Sequence, residues 1–231
     1  MTKTIFPYVE DEVFKKEVAA VLTKIQKSLA KIDKTVHKNV LDPFSAIFDA
    51  SGRNLTMEEW LKEEKSRQLQ KTLQNAIGYF HQQILGSVTG WHNPGHNGGY
   101  DSGNEAKKII AEIKNKWNTM NSSSEAEAYN KMAKLLDSKK KDYTGYVVQI
   151  IPKTPERYKE KFAPGEKKVR KDLFLVDGAT YYELVTGDKN ALRKLYDTLH
   201  ETIRVMRSIS KDNFRLNEKE FNALFNKAYG K

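Results

Sequence analysis

The chain has 231 residues, of which 39% are hydrophobic and 30% charged, a balance that supports a folded core and excludes a mostly disordered chain. It contains no cysteine, so disulfides, thiolate catalysis and cysteine-held zinc or iron–sulfur centres are excluded, and any metal must be bound by oxygen or imidazole. A formal charge of +10 favours a polyanionic partner through counterion release from phosphates, although solvated lysine faces produce the same excess.

No apolar run approaches the roughly 20 residues of a membrane span, and the first residues lack the charged-then-apolar layout of a signal peptide; a cytoplasmic location is expected. Residues 11–35 set Val13, Val18, Val21, Leu22, Ile25, Leu29 and Ile32 at three- and four-residue steps, the stripe of an amphipathic helix. After the helix-start signal Asp42-Pro43, a short apolar stretch from Phe44 to Phe48 ends near Ser51-Gly52. Thr56 with Glu59 three residues later makes a capping box for a second long helix reaching about Leu85.

From Gly86 to Gly103 the texture changes. Six glycines and Pro94 in eighteen residues mark a loop with a short strand at its end, and a loop of that length inside a domain points to function. Residues 105–117 follow, then polar residues 118–124, whose serines can cap a helix from Ser124 to Ser138. Residues 142–151 read as a buried strand from their β-branched and aromatic content. Residues 152–172, with three prolines and a run of lysines, suggest an exposed insertion. Two β-type runs around Asp177-Gly178 suggest a hairpin. Helices are expected over Ala191–Ile209, with Leu192, Leu195, Leu199, Ile203 and Met206 in register, and over Glu218–Tyr229.

The chemistry concentrates on Asp101, a ten-residue gap, and Glu112-Ile113-Lys114. Glu112 and Lys114 share a face only at period two, so the segment must be a strand for them to act together. Periodicity alone allows a helix with Ile109, Ile110, Ile113 and Trp117 on one side. The turn-forming Ser102-Gly103-Asn104, able to fold Asp101 back beside Glu112 as a hairpin, favours the strand, as does the polar stop after Trp117. Two carboxylates suit hard magnesium, which binds oxygen and keeps waters, and a lysine beside them could stabilise phosphate charge and orient water. The main-chain carbonyl of Ile113 is a candidate third metal ligand. The alternative is a solvated Glu112–Lys114 ion pair on a non-enzymatic basic DNA-binding protein.

The run Gly90 to Asp101, with Glu112 to Ser124, resembles the catalytic region of type II restriction endonucleases of the PD-(D/E)XK superfamily. Within that group it is similar to bacterial enzymes that recognise GGNCC-type sites, in which a Glu-x-Lys-Asn-Lys-x-Asn-Thr-Met-Asn run follows an upstream aspartate. The resemblance is sharpest over residues 78–124 and includes Ile77-Gly78-Tyr79-Phe80-His81. It implies Asp101, Glu112 and Lys114 as catalytic residues, Mg²⁺ as cofactor and a homodimer cleaving both strands of a short palindrome. The implied fold is α/β, a central mixed sheet flanked by helices, in one nuclease domain: a helical part over 1–86, a catalytic sheet core over 87–187 and C-terminal helices over 188–231. Tyr100 rather than proline precedes Asp101, so that half of the motif is incomplete. A structure-selective repair or junction nuclease would use the same chemistry.

Asn115, Lys116 and Asn118 are candidate DNA contacts, Asn for adenine or backbone oxygens and Lys for phosphate or guanine. His92 and His96, four apart, sit in the Pro-Gly loop without a third ligand, which disfavours zinc. His81 or Gln83 could lie beside the metal, with a capping or surface role as the alternative. Lys153, Arg157, Lys159, Lys161, Lys167, Lys168, Arg170 and Lys171 are either a phosphate-binding arm or a solvated insertion.

Overall fold

The computed structural model describes residues 4–38, 41–95, 97–138, 140–209 and 217–230. Their elements, in chain order, are α1 (Asp11–Lys38), α2 (Pro43–Gly52), α3 (Met57–Gly86), β1 (Ser102–Asn104), β2 (Ile109–Lys116), α4 (Ser122–Ser138), β3 (Thr144–Ile151), β4 (Lys159–Lys161), β5 (Leu173–Asp177), α5 (Gly178–Thr186), α6 (Ala191–Met206) and α7 (Glu218–Tyr229). The chain divides into two compact units, Met1–Val18 with Gly78–Lys231, and Ala19–Ile77.

The smaller unit is helical. Its capping box forms as the sequence predicts: Thr56 N–H donates to Glu59 Oε2 at 2.8 Å and Glu59 N–H donates to Thr56 Oγ1 at 3.2 Å, satisfying two otherwise orphaned donors at the start of α3. Asp42 likewise caps α2, accepting from Phe44 N–H. Trp60 is buried, with its indole N–H donating to Asp49 at 3.0 Å, while Phe44, Ile47 and Phe48 of α2 are exposed.

The larger unit is built on a five-stranded mixed sheet in the order β1-β2-β3-β5-β4. The expected α/β architecture is present. β2, β3 and β5 are parallel, and β1 and β4 pair antiparallel at the two edges. Alternation along the strands divides the side chains between two faces. Ala111, Tyr146 and Phe174 form a register row on one, and Glu112, Val147 and Leu175 on the other. The second face carries Ile110, Val147 and Leu173 against Ala128, Tyr129, Met132 and Leu136 of α4. α5 covers the first face, where Tyr146 and Tyr181 pack with ring centroids 5.9 Å apart.

Residues 105–117 settle as turn, then strand: β2 starts at Ile109 and keeps Glu112 and Lys114 on one face. The hairpin forms, but one turn later than its residues suggest. Ser102-Gly103-Asn104 is itself the strand β1, and the reversal occupies residues 105–108, with Lys108 at φ 53° and Asn104 Oδ1 accepting from Lys107 N–H.

Three other expectations need correction. The Asp177-Gly178 hairpin does not exist. β5 ends at Asp177, whose carboxylate accepts from Thr180 N–H at 2.9 Å as the N-cap of α5. Gly178 allows that helix to start against β3, since a Cβ there would lie 2.4 Å from the Ile150 carbonyl oxygen. The buried positions Tyr181, Tyr182 and Val185 then follow helical spacing. The lysine-rich insertion contains the edge strand β4 and buries Phe162, 5% exposed. The helix after β2 begins at Ser122, with Asn121 rather than a serine accepting from Ser124 N–H.

Candidate active site

The carboxyl ends of parallel strands are where α/β sheets place ligands, because the strand ends and following loops leave a crevice there. Glu112 stands at the middle of β2 and Lys114 two residues nearer its carboxyl end, in the rows Glu112–Val147–Leu175 and Lys114–Gln149–Asp177. Asp101 immediately precedes β1 and is tied to β2 twice. Its N–H donates to Ala111 C=O at 2.8 Å, and its Oδ2 accepts from Ile113 N–H at 2.7 Å. A residue in an extended strand directs N–H and C=O to the same side, so the Ile113 carbonyl also faces the edge where Asp101 sits.

Glu112 is nearly enclosed, its side chain 9% exposed, and each oxygen has a cation. Lys114 Nζ donates to Oε1 at 2.9 Å and Lys131 Nζ, from α4, donates to Oε2 at 2.6 Å. Burial favours the neutral acid, yet the charge of Lys114 and the hydrogen bonds from Lys131 and Lys114 outweigh it, holding the Glu112 carboxyl below the usual glutamate range. Asp101 has no such ion pair. Burial, then the nearby Glu112 charge, push its carboxyl up to about 6, against the lowering effect of the Ile113 N–H.

The structure thus brings Asp101, Glu112, Ile113 and Lys114 together. Lys116 lies on the Glu112–Lys114 face by alternation, half-buried, and Asn118 is exposed in the 3₁₀ turn Trp117–Thr119. Asn115 falls on the opposite face, where its Cβ approaches α3 at Gly78. Lys131 is absent from the sequence-derived set. The helical phase of α4 places it beside the packed positions Ala128 and Met132, but no local pattern reveals its pairing with Glu112.

The remaining candidates have other partners. His81 is buried, its Nδ1 2.8 Å from the Tyr182 hydroxyl; this is a core position, neither a helix cap nor a surface site. Gln83 is half-buried on the same helix. His92 Nε2 lies 3.0 Å from the Tyr100 hydroxyl, and His96 is outside the described residues. In the basic segment, Arg157 pairs with Glu183, and Arg170 pairs with Asp137 and Asp172. Lys159 and Lys161 lie over the Phe174 ring. Among the described residues no cluster of three or more His, Asp or Glu side chains could hold a metal. The available set is two carboxylates and a carbonyl, all oxygen, which fits a hard cation that keeps part of its water shell.

A family model described as Eco47II restriction endonuclease matches residues 6–208. The chain is 39% identical over 239 residues to the type II restriction enzyme Eco47II of Escherichia coli, covering 98% of this chain and 100% of that protein. It is 29% identical over 205 residues to the type II restriction enzyme Sau96I of Staphylococcus aureus, covering 84% and 78% respectively. No solved structure matches. Restriction endonucleases generally work with a divalent metal, and among the described residues no helix is long and apolar enough to cross a membrane. The full-length match, carried on a mixed sheet that brings Asp101 beside Glu112 and Lys114 of β2, identifies the chain as a member of the Eco47II restriction endonuclease family, a type II restriction enzyme that binds and cuts DNA at specific sites.

Proposed function

We propose that the chain hydrolyses duplex DNA with Mg²⁺ at a site made by Asp101, Glu112, Ile113 and Lys114, acting as a homodimer on a short GGNCC-type palindrome. The observation that carries the catalytic assignment is the tie between Asp101 and β2: the Ile113 N–H fixes one Asp101 oxygen, and Glu112 is the residue just before Ile113. Asp101, Glu112 and the Ile113 carbonyl would hold the metal. When bound, magnesium supplies charge stabilisation to the phosphate and acidifies the attacking water.

The protein residues have separable tasks. Asp101 and Glu112 are anchored by the backbone of two paired strands, so they enter the reaction already oriented. Lys114, half-buried on the Glu112 face, would sit against the scissile phosphate, stabilise charge developing on its oxygens and orient the water for in-line attack. Lys116 and Asn118 follow on the same segment and would contact the DNA backbone or base edges; Asn115 would have to do so from the opposite face. A dimer fits the geometry of the task, since one such site per chain cuts one strand and a palindrome presents two equivalent strands. The GGNCC assignment rests on the resemblance of residues 112–121.

The test uses supercoiled plasmid with magnesium and sequencing of fragment ends. The wild-type protein should give discrete fragments ending at one palindrome, whereas Asp101→Asn, Glu112→Gln and Lys114→Ala should lower cleavage at least about a hundredfold while retaining DNA binding in EDTA. Undiminished cutting by Asp101→Asn or Lys114→Ala would sink the assignment, and ends at an unrelated sequence would refute the GGNCC proposal alone.

A further inference from the structure

We propose that Lys131 is a displaceable counter-ion that occupies Glu112 Oε2 until a divalent metal takes its place. This rests on the metal-site reading above and extends it to a residue on a different element. Both oxygens of Glu112 are engaged, Oε1 by Lys114 and Oε2 by Lys131. A cation bound by this carboxylate must therefore displace at least one ammonium or share its oxygen.

The two lysines are not equivalent candidates for release. Lys114 is two residues from Glu112 on the same strand, so β2 keeps it near the carboxylate in any state. Lys131 comes from α4, nineteen residues away, and its side chain is 43% exposed against 30% for Lys114. A long, half-exposed lysine can swing into solvent by rotamer change while its helix stays packed, and a metal taking its place keeps the buried carboxylate paired. The packed stripe of α4, Ala128, Tyr129, Met132 and Leu136, does not depend on Lys131.

Charge supplies the consequence of release. Asp101 and Glu112 face Lys114 and Lys131, two negative charges against two positive. Removing Lys131 leaves an excess negative charge and an uncovered oxygen, both of which attract a cation. Lys131 is then a positioning residue: it holds the metal-free carboxylate in place at the cost of competing with the metal.

Manganese binding to the full-length protein without DNA, followed by electron paramagnetic resonance, tests this without reference to cleavage. Wild type should bind an ion in a manner lost in Asp101→Asn. Lys131→Gln should bind it about three- to tenfold more tightly, and Lys131→Arg, which restores the charge, should return toward wild type. Lys131→Met, which keeps the apolar stem, should behave as Lys131→Gln. Equal or weaker binding by both neutral variants, or an arginine variant indistinguishable from them, overturns the role of Lys131 and leaves the metal site standing. Absence of any Asp101-dependent ion in wild type overturns both.

Discussion

His81 gives the sharpest test of how burial governs this protein. The imidazole is 9% exposed, edge-on to the rings of Phe80 and Tyr182, with Nδ1 2.8 Å from the Tyr182 hydroxyl. Burial raises the Tyr182 hydroxyl well above its ordinary value, so it stays protonated and shares one hydrogen bond with the neutral ring, the donor being set by the His81 tautomer. The same burial lowers the His81 pKa to about 4 from 6.5. The folded protein thus holds a neutral ring while the unfolded chain takes up a proton below about pH 6.5. The resulting stability is fully present above that pH and is lost as the pH falls through the folded value, a loss on the order of 3 kcal/mol by pH 4. Against a total of about 5–15 kcal/mol this is large. Urea unfolding at pH 7, 6, 5 and 4 should show wild type losing that much more than His81→Asn, whose amide can still hydrogen-bond to Tyr182 and which does not titrate. Parallel pH profiles for the two proteins would refute the reasoning. Because His81 belongs to the core, His81→Asn should cleave DNA at pH 7.5 within about threefold of wild type wherever it is folded.

Two further outcomes follow from single contacts. Gly178→Ala puts a methyl 2.4 Å from the Ile150 carbonyl oxygen and 2.7 Å from its Cα, backbone atoms that cannot move without disturbing β3. The expected cost is about 1–3 kcal/mol, seen as a fall of roughly 3–10 °C in Tm, and an unchanged Tm would show that α5 can start elsewhere. Lys116→Ala should reduce the dependence of log K on log salt for DNA binding in EDTA by about 0.9, the amount expected for one lost phosphate contact. An unchanged slope would show that Lys116 neutralises no phosphate.

The parts of the fold legible in the sequence are those set by neighbours along the chain. The Thr56–Glu59 box is complete within four residues, so its chemistry is visible and forms. The pairing of Glu112 with Lys114 is legible for a related reason: once residues 109–116 are a strand, period two alone puts both on one face. Asp177-Gly178 fails because the same dipeptide serves either a tight turn or a cap followed by a close approach. What decides between them is the Ile150 backbone, more than twenty residues upstream. β4 is hidden because its three residues are Lys-Glu-Lys, all exposed, a composition that protects a sheet edge from further pairing and reads as loop. Lys131 is hidden for a stronger reason, since its partner is fixed only when α4 docks on the face of β2 that bears Glu112.

That docking changes how the site is understood. With Lys114 alone, Glu112 would keep one oxygen open and the Asp101–Glu112 pair would carry excess negative charge in a largely buried setting, which is costly. With Lys131 added the four charges balance, and Glu112 is held ionised below its usual range while Asp101, with a pKa of about 6, is mostly ionised at neutral pH. Both carboxylates are therefore in the form a cation requires before one arrives. The proposed exchange of an ammonium for a metal would then need no rearrangement of β1 or β2, whose backbone bonds already fix Asp101 against Ile113. Under the proposed function the balance would also let the site approach DNA phosphates without a metal, because the acids no longer present a net negative charge. In Lys131→Gln this balance is lost, so DNA binding in EDTA should weaken by about two- to fivefold even as metal binding tightens. A variant that tightened both would show that the ammonium of Lys131 opposes the substrate rather than screening the acids from it.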